Sequence, residues 1–362
     1  MSVITNNAMP QSITLTSELM GKFKPAKIFK NAVDQAPPSN SQVRPTSPPR
    51  HITSIAFDDR GETLITAGED ETFRLYNCKT GKSQEKVSFF ALRTTVARVV
   101  SLEVSPVDDG FMSGSLDGTI RLWDLRTPHC RGLLNLPSPS TPLVAYDNSG
   151  VVFAVGLNHF CRILLYDMAN FDKDPFLTIH LDDPTLAKIT FPPRVPFMTT
   201  LAFSSNGKFI LVGTSTNAHY IIDSFEGILI AKLIGHVGLE RGKVGREINP
   251  QPSKGISGNE VSWTPDSKFI AGGSQDGKIL VWDCSGFMNE NGDARQVKKG
   301  QDPLIIPPTH TLEGHPGPSR CVQFNPRWAM LASAGAEMAF WLPDQSNDVE
   351  ESKIDGKKKA VP

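Results

Sequence analysis

Six stretches of the chain repeat one arrangement of apolar and polar positions. Residues 52–77 read ITSIAFDDRGETLITAGEDETFRLYN, and residues 99–124 read VVSLEVSPVDDGFMSGSLDGTIRLWD. Weaker copies occupy 142–167, 200–223, 260–283 and 321–343. In each, an alternating apolar stretch runs into a polar turn and a small-residue segment follows. After a second tight turn comes a stretch that commonly ends on an aromatic residue and Asp or Asn. Alternation with period two, broken by Gly, Asp and Asn, is the pattern of strands joined by tight turns. The equivalent anchors Phe57, Val104, Tyr146, Phe203, Trp263 and Phe324 are separated by 47, 42, 57, 60 and 61 residues. The shorter spacings suit a four-stranded unit of roughly 40–45 residues, and the longer ones require longer loops. Helical periodicity is nearly absent, so the pattern predicts an all-β propeller.

The ends of the chain predict how the ring closes. The last copy stops at Trp341-Leu342-Pro343 after its third strand, which leaves that unit with a bare edge. Ahead of the first copy, Ala26, Lys27, Ile28 and Phe29 form a short strand-like stretch that is expected to supply the missing strand. The reading is therefore an N-terminal extension at 1–19, a propeller at 20–343 and a disordered polar tail at 344–362. A Pro-rich loop at 36–50 and insertions at 238–259 and 286–308 are expected to be irregular.

Composition narrows the function classes. The 37 basic and 38 acidic side chains nearly cancel, which argues against a whole-surface grip on nucleic acid. Five cysteines stand far apart with no CxxC pair, as expected of reduced, mostly buried thiols rather than a zinc site or a disulfide framework. The N-terminus lacks a secretory pattern, and the longest apolar runs are strand-sized, so no membrane association is expected.

Trp123-Asp124 and Trp282-Asp283 are the most specific local signal and mark the copies as WD40 repeats. Ser115, Asp117 and Trp123 sit at the spacing of an internal polar network, as do Ser274, Asp276 and Trp282. Asp70 holds the same turn position in the first copy, and Trp341 the aromatic position in the last. A Ser and an Asp so close suggest hydrolase chemistry, but no His is near and their recurrence marks them as structural. His236 and His315, each after a Gly, fall in connections between units and read as structural too. Residues 78–83, CKTGKS, imitate the end of a phosphate-binding loop. The position five before Gly81 is Tyr76, however, so the stretch reads as a hairpin turn. Arg241, Lys243 and Arg246 are candidate partner contacts for an acidic or phosphorylated ligand, against a plain solvated loop. No set of residues forms a catalytic, cofactor or metal site.

The stretch SPVDDGFMSGSLDGTIRLWDLRTPHCRGL at 105–133 and the ending MAFWLP at 338–343 go beyond a generic repeat. They resemble the small WD-repeat subunit of COMPASS, the Set-complex WD protein two family. The likeness extends from Leu15 to Pro343 and includes TPDSKFIAGGSQDGKILVW at 264–282. The resemblance implies a nuclear, non-catalytic scaffold without cofactor, in a complex that methylates histone H3 on lysine 4. It implies docking on the methyltransferase subunit and coupling to RNA polymerase II phosphorylated on its C-terminal repeats. The alternative it implies is a subunit of the mRNA cleavage and polyadenylation factor. That family has seven repeats, and this chain has six. Lys82 to Arg98 suffice only for the outer strand of the first unit and a connection, so the second repeat of the family is expected to be missing. The outcomes are a closed six-bladed ring, a ring with a gap, or a sequence that derives from a gene model lacking an exon, and the last two are favoured.

Overall fold

Alternation dictates sheets, and each of the six repeats forms one antiparallel sheet in a computed structural model of the chain. The structure describes residues 13–34, 50–88, 99–238, 259–288 and 301–344. Short breaks fall at 59, 69–71, 116, 125, 128–129, 137–141, 159–160 and 186–195. A short helix, α1 (Ser17–Gly21), is capped by the Thr16 hydroxyl, which accepts from the Leu19 amide. It leads into β1 (Phe23–Phe29).

The first blade comprises β2 (Ile52–Phe57), β3 (Thr63–Gly68), β4 (Thr72–Asn77) and β5 (Lys82–Ser88). The second holds β6 (Val99–Val104), β7 (Gly110–Ser115), β8 (Thr119–Asp124) and β9 (Cys130–Asn135). In the third are β10 (Pro142–Tyr146), β11 (Val152–Leu157), β12 (Arg162–Asp167) and β13 (Leu177–His180). β14 (Met198–Phe203), β15 (Phe209–Thr214), β16 (Ala218–Asp223) and β17 (Leu229–Ile234) build the fourth. The fifth uses β18 (Val261–Trp263), β19 (Phe269–Gly273) and β20 (Ile279–Asp283). Its chain then runs through β21 (Leu304–Ile306) before its outer strand, β22 (His310–Leu312). The sixth has β23 (Cys321–Phe324), β24 (Leu331–Ala334) and β25 (Met338–Pro343).

The ring is latched as the sequence predicts. β1 pairs antiparallel with β25 from Phe23↔Pro343 to Phe29↔Met338, so the sixth blade takes its outer strand from the start of the chain. Pro25 is tolerated because β1 is the edge strand of that sheet, and the register slips between Pro25 and Lys27. Phe29 meets Tyr76 of the first blade edge-on at 4.8 Å and Phe340 of the sixth at 5.5 Å. The latch therefore reaches two blades.

Two boundaries differ from the sequence reading. The fold begins before residue 20, because α1 buries Met20 among Phe269, Phe324 and Trp341, and the Ser17 hydroxyl bonds His310 Nε2 at 2.9 Å. The insertion at 286–308 is not all loop. Its residues Leu304–Ile306 form β21, which pairs parallel with β17 as a fifth strand on the fourth blade. The free edge of β17 is thereby covered, which satisfies backbone groups that an open edge would leave bare. Residues 35–49, 239–258, 289–300 and 345–362 lie outside the described residues, as do Asp70, Arg241, Lys243 and Arg246. Among the described residues no helix is long and apolar enough to cross a membrane.

Because side chains alternate along a strand, each blade turns one set toward the preceding blade and the other toward the next. Five apolar clusters result. Met112, Tyr146 and Phe153 join the second and third blades, and Leu165, Met198 and Ile222 join the third and fourth. Leu211, Trp263 and Trp282 join the fourth and fifth, and Val281, Phe324 and Trp341 the fifth and sixth. Ile55, Tyr76 and Phe340 join the sixth and first. Each side chain fully buried in this way is worth about 1.5–3 kcal/mol. Among the described residues no cluster joins the first blade to the second.

Candidate interaction site

The residues singled out as a polar network serve as local fasteners, with two corrections, one at each Trp-Asp pair. In the second blade the Trp123 indole donates to Ser113 at 2.8 Å, not to Ser115. Phe111 lies opposite Trp123 in the register, so Ser113 is its diagonal neighbour on the same face. Ser115 is one pleat further, roughly 7 Å along the strand. The Ser333 hydroxyl plays the same part for Trp341, at 2.6 Å, and also bonds His315 Nε2. In the fifth blade the equivalent position is Gly272, so the Trp282 indole donates instead to the Ile234 carbonyl at 2.8 Å. The turn carboxylates act locally. Asp117 accepts from the Thr119 amide at 3.0 Å, and Asp276 from the Lys278 amide at 3.3 Å. The Ser274 hydroxyl accepts from the Val237 amide at 3.0 Å, which ties the fifth blade to the connection before it. Asp124 and Asp283 cap the turns after their strands, accepting from the amides of Arg126 and Ser285 at 3.0 and 2.9 Å. The Arg126 side chain bonded to Asp124 holds that carboxyl well below the usual range.

Buried ionisable groups are committed to structure. Lys232 reaches Asp183 at 2.6 Å, while Tyr220 donates its hydroxyl to the same carboxylate at 3.1 Å. Burial pushes the Asp183 pKa upward, but the hydrogen bonds from Lys232 and Thr185 outweigh it and hold the group low. His219 and His236 stack in parallel at 3.9 Å, with Trp282 edge-on to both. Burial lowers His219 well below its ordinary value and brings His236 and His315 down to about 4. All five cysteines are free thiols. Cys161 is pushed up by burial to about 12, a poor nucleophile. Residues 78–83 form the β4–β5 hairpin, where the left-handed Gly81 donates its amide to the Asn77 carbonyl. Among the described residues no three His, Cys, Asp or Glu side chains could hold a metal ion together.

What the arrangement offers is surface. In an antiparallel blade the turn between its first and second strands and that between its third and fourth lie on one face of the ring. That face carries apolar side chains in otherwise polar turns: Val107 and Val151, Phe176 before β13, Phe225 after β16, and Trp328. Phe225 is 75% exposed and Phe176 60%. Neighbouring turns brace one another. The Lys79 ammonium lies 5.5 Å over the Trp328 ring and pairs with Glu62 at 2.6 Å. The turn holding Phe225 rests through Gly227 against Ile179 of the third blade. Rigidly presented apolar anchors with a polar surround are what a protein partner binds. The signal for them in the sequence is an apolar residue inside a turn cluster, as in PVDDG and NPRWA.

The chain matches the model of the WD domain, G-beta repeat, over residues 44–77, 91–124 and 251–283. It is 32% identical to WD repeat-containing protein 82 of Drosophila melanogaster, with 91% of this chain and 98% of that protein covered. It is 27% identical to the Set1 complex component swd2 of Schizosaccharomyces pombe and 28% to the COMPASS component SWD2 of Saccharomyces cerevisiae. Those alignments take in 91% and 92% of this chain and 99% of each relative. The Drosophila alignment spans 370 positions, whereas 91% of these 362 residues is about 330. About forty alignment positions, summed over all gaps, therefore have no residue here.

Proposed function

The chain belongs to the family of WD-repeat propellers that includes WD repeat-containing protein 82 and the Swd2 proteins, and from that membership we propose that it is a scaffold subunit of a COMPASS-type complex. In this reading it acts in the nucleus, without catalysis of its own, where the complex methylates histone H3 on lysine 4. It docks on the methyltransferase subunit and helps couple the complex to phosphorylated RNA polymerase II. The observation that carries the reading is the alignment over 99% of the length of two proteins named for that complex. The apolar turn face supports it physically. Phe176 and Phe225 project from hairpins whose backbones are held by the blades, so a partner segment meets preorganised anchors and little ordering entropy is lost on binding.

Affinity purification of the tagged chain from nuclear extract, with partners identified by mass spectrometry, tests the proposal. Methyltransferase subunits are expected. Recovery of cleavage and polyadenylation subunits without them would overturn it, as would recovery of neither.

A further inference from the structure

The six blades can be compared position by position, because the strand registers are homologous. The residue facing the next blade from the second strand is Met112, Ala154, Leu211, Ala271 and Ala332 in blades two to six. All five are fully buried. Its counterpart in the first blade, Ile65, is 40% exposed. Two positions of the innermost strand face the preceding blade. One is filled by Ile55, Val144, Leu201, Val261 and Val322, each buried, whereas Leu102 of the second blade is 53% exposed. At the other, Tyr146, Trp263 and Phe324 are buried and Val104 is 62% exposed. Phe111 and Trp123, stacked at 5.9 Å, extend the same bare bank. The five counterparts of each in the other blades are at most 5% exposed.

The exposure is confined to one junction. The forward face of the first blade and the backward face of the second keep the chemistry of a blade–blade interface and lack the cluster that fills the other five. Among the described residues no strand pair across this junction packs as closely as neighbouring blades do elsewhere. Ser88 closes the first blade and Val99 opens the second.

We infer that this junction is a slot that receives a β-sheet element donated by another protein, as a seventh blade in trans. An occupant must be apolar on both faces, because both banks are. The chain cannot supply it, since its undescribed stretches are at most twenty residues long and a blade takes roughly forty. A second copy cannot supply it either. Its first and second blades have one bare face each, and its remaining blades bury both. The partner is therefore a different chain carrying a short antiparallel meander with Val, Ile, Leu or aromatic residues at alternate positions on both sides. Paired with two banks about 10 Å from its own plane, such a sheet buries both faces at once. The inference holds whichever complex recruits the chain.

A photo-crosslinking phenylalanine analogue placed at Ile65 and, separately, at Leu102 of the full-length chain in cells tests this, with Ile305 on β21 as control. Both slot positions are expected to capture one partner, at peptides within about forty residues of each other on its sequence, and the control is not. Crosslinks confined to residues 89–98 of the same chain, to a second copy, or to no shared partner would overturn the inference. Ile65→Glu on one bank, and Leu102→Glu with Val104→Glu on the other, are each expected to lower recovery of that partner at least tenfold with an unchanged melting curve. Undiminished recovery would overturn it as well.

Discussion

At the scale of single residues, the buried histidines make stability depend on pH. His236 and His315 stay neutral in the folded chain down to about 4, whereas their ordinary value is 6.5. The unfolded chain therefore takes up protons first as pH falls. Stability present above 6.5 is lost progressively between 6.5 and 4. From pH 7 to pH 5 each of the two is expected to cost about 2 kcal/mol, read from urea midpoints at the two values. His315→Asn should flatten that dependence. Asp183 has the opposite surroundings. Its depressed pKa stabilises the fold above the ordinary carboxylate range, and that contribution fades as pH falls below it. Lys232→Met strands the carboxylate, which has no exposed side-chain surface, and is expected to cost about 3–5 kcal/mol in urea unfolding at pH 7.

Among the elements, the latch strand is the one most open to test. β1 closes the sixth blade along its whole length, and Phe29 bridges to the first blade through Tyr76. Phe29→Ala removes both aromatic contacts from a half-buried site and is expected to cost about 3 kcal/mol in chemical denaturation. Ala26→Ser, at the slip in register, should cost under about 0.5 kcal/mol. A difference between the two in the other direction would mean that the pairing of β1, rather than its side chains, carries the closure. The strand was legible in advance because the last repeat ends one strand short. β21 was not. Three apolar residues between polar insertions carry no period, and their pairing with β17 depends on an edge more than sixty residues away in sequence.

For the whole molecule, partner binding and stability should separate. Phe176→Ser with Phe225→Ser alters two side chains that are 60% and 75% exposed, so unfolding should shift by less than about 0.5 kcal/mol per site. Pull-down of the methyltransferase subunit should fall if the turn face is the docking surface. Unchanged pull-down would move the interface off the turn face, to the opposite face that carries connections between blades such as the one beginning at Gly235.

The sequence by itself determined the strands, their order, the latch and the family, because period-two alternation and turn residues act within a few positions of one another. Only the tertiary structure decided which surfaces meet. Ser113, not Ser115, receives the Trp123 indole because strand register sets which side chains are diagonal neighbours. Ile65 and Leu102 look like their buried equivalents in the sequence. They stand exposed because burial depends on the neighbouring blade, and no local pattern records whether one is there.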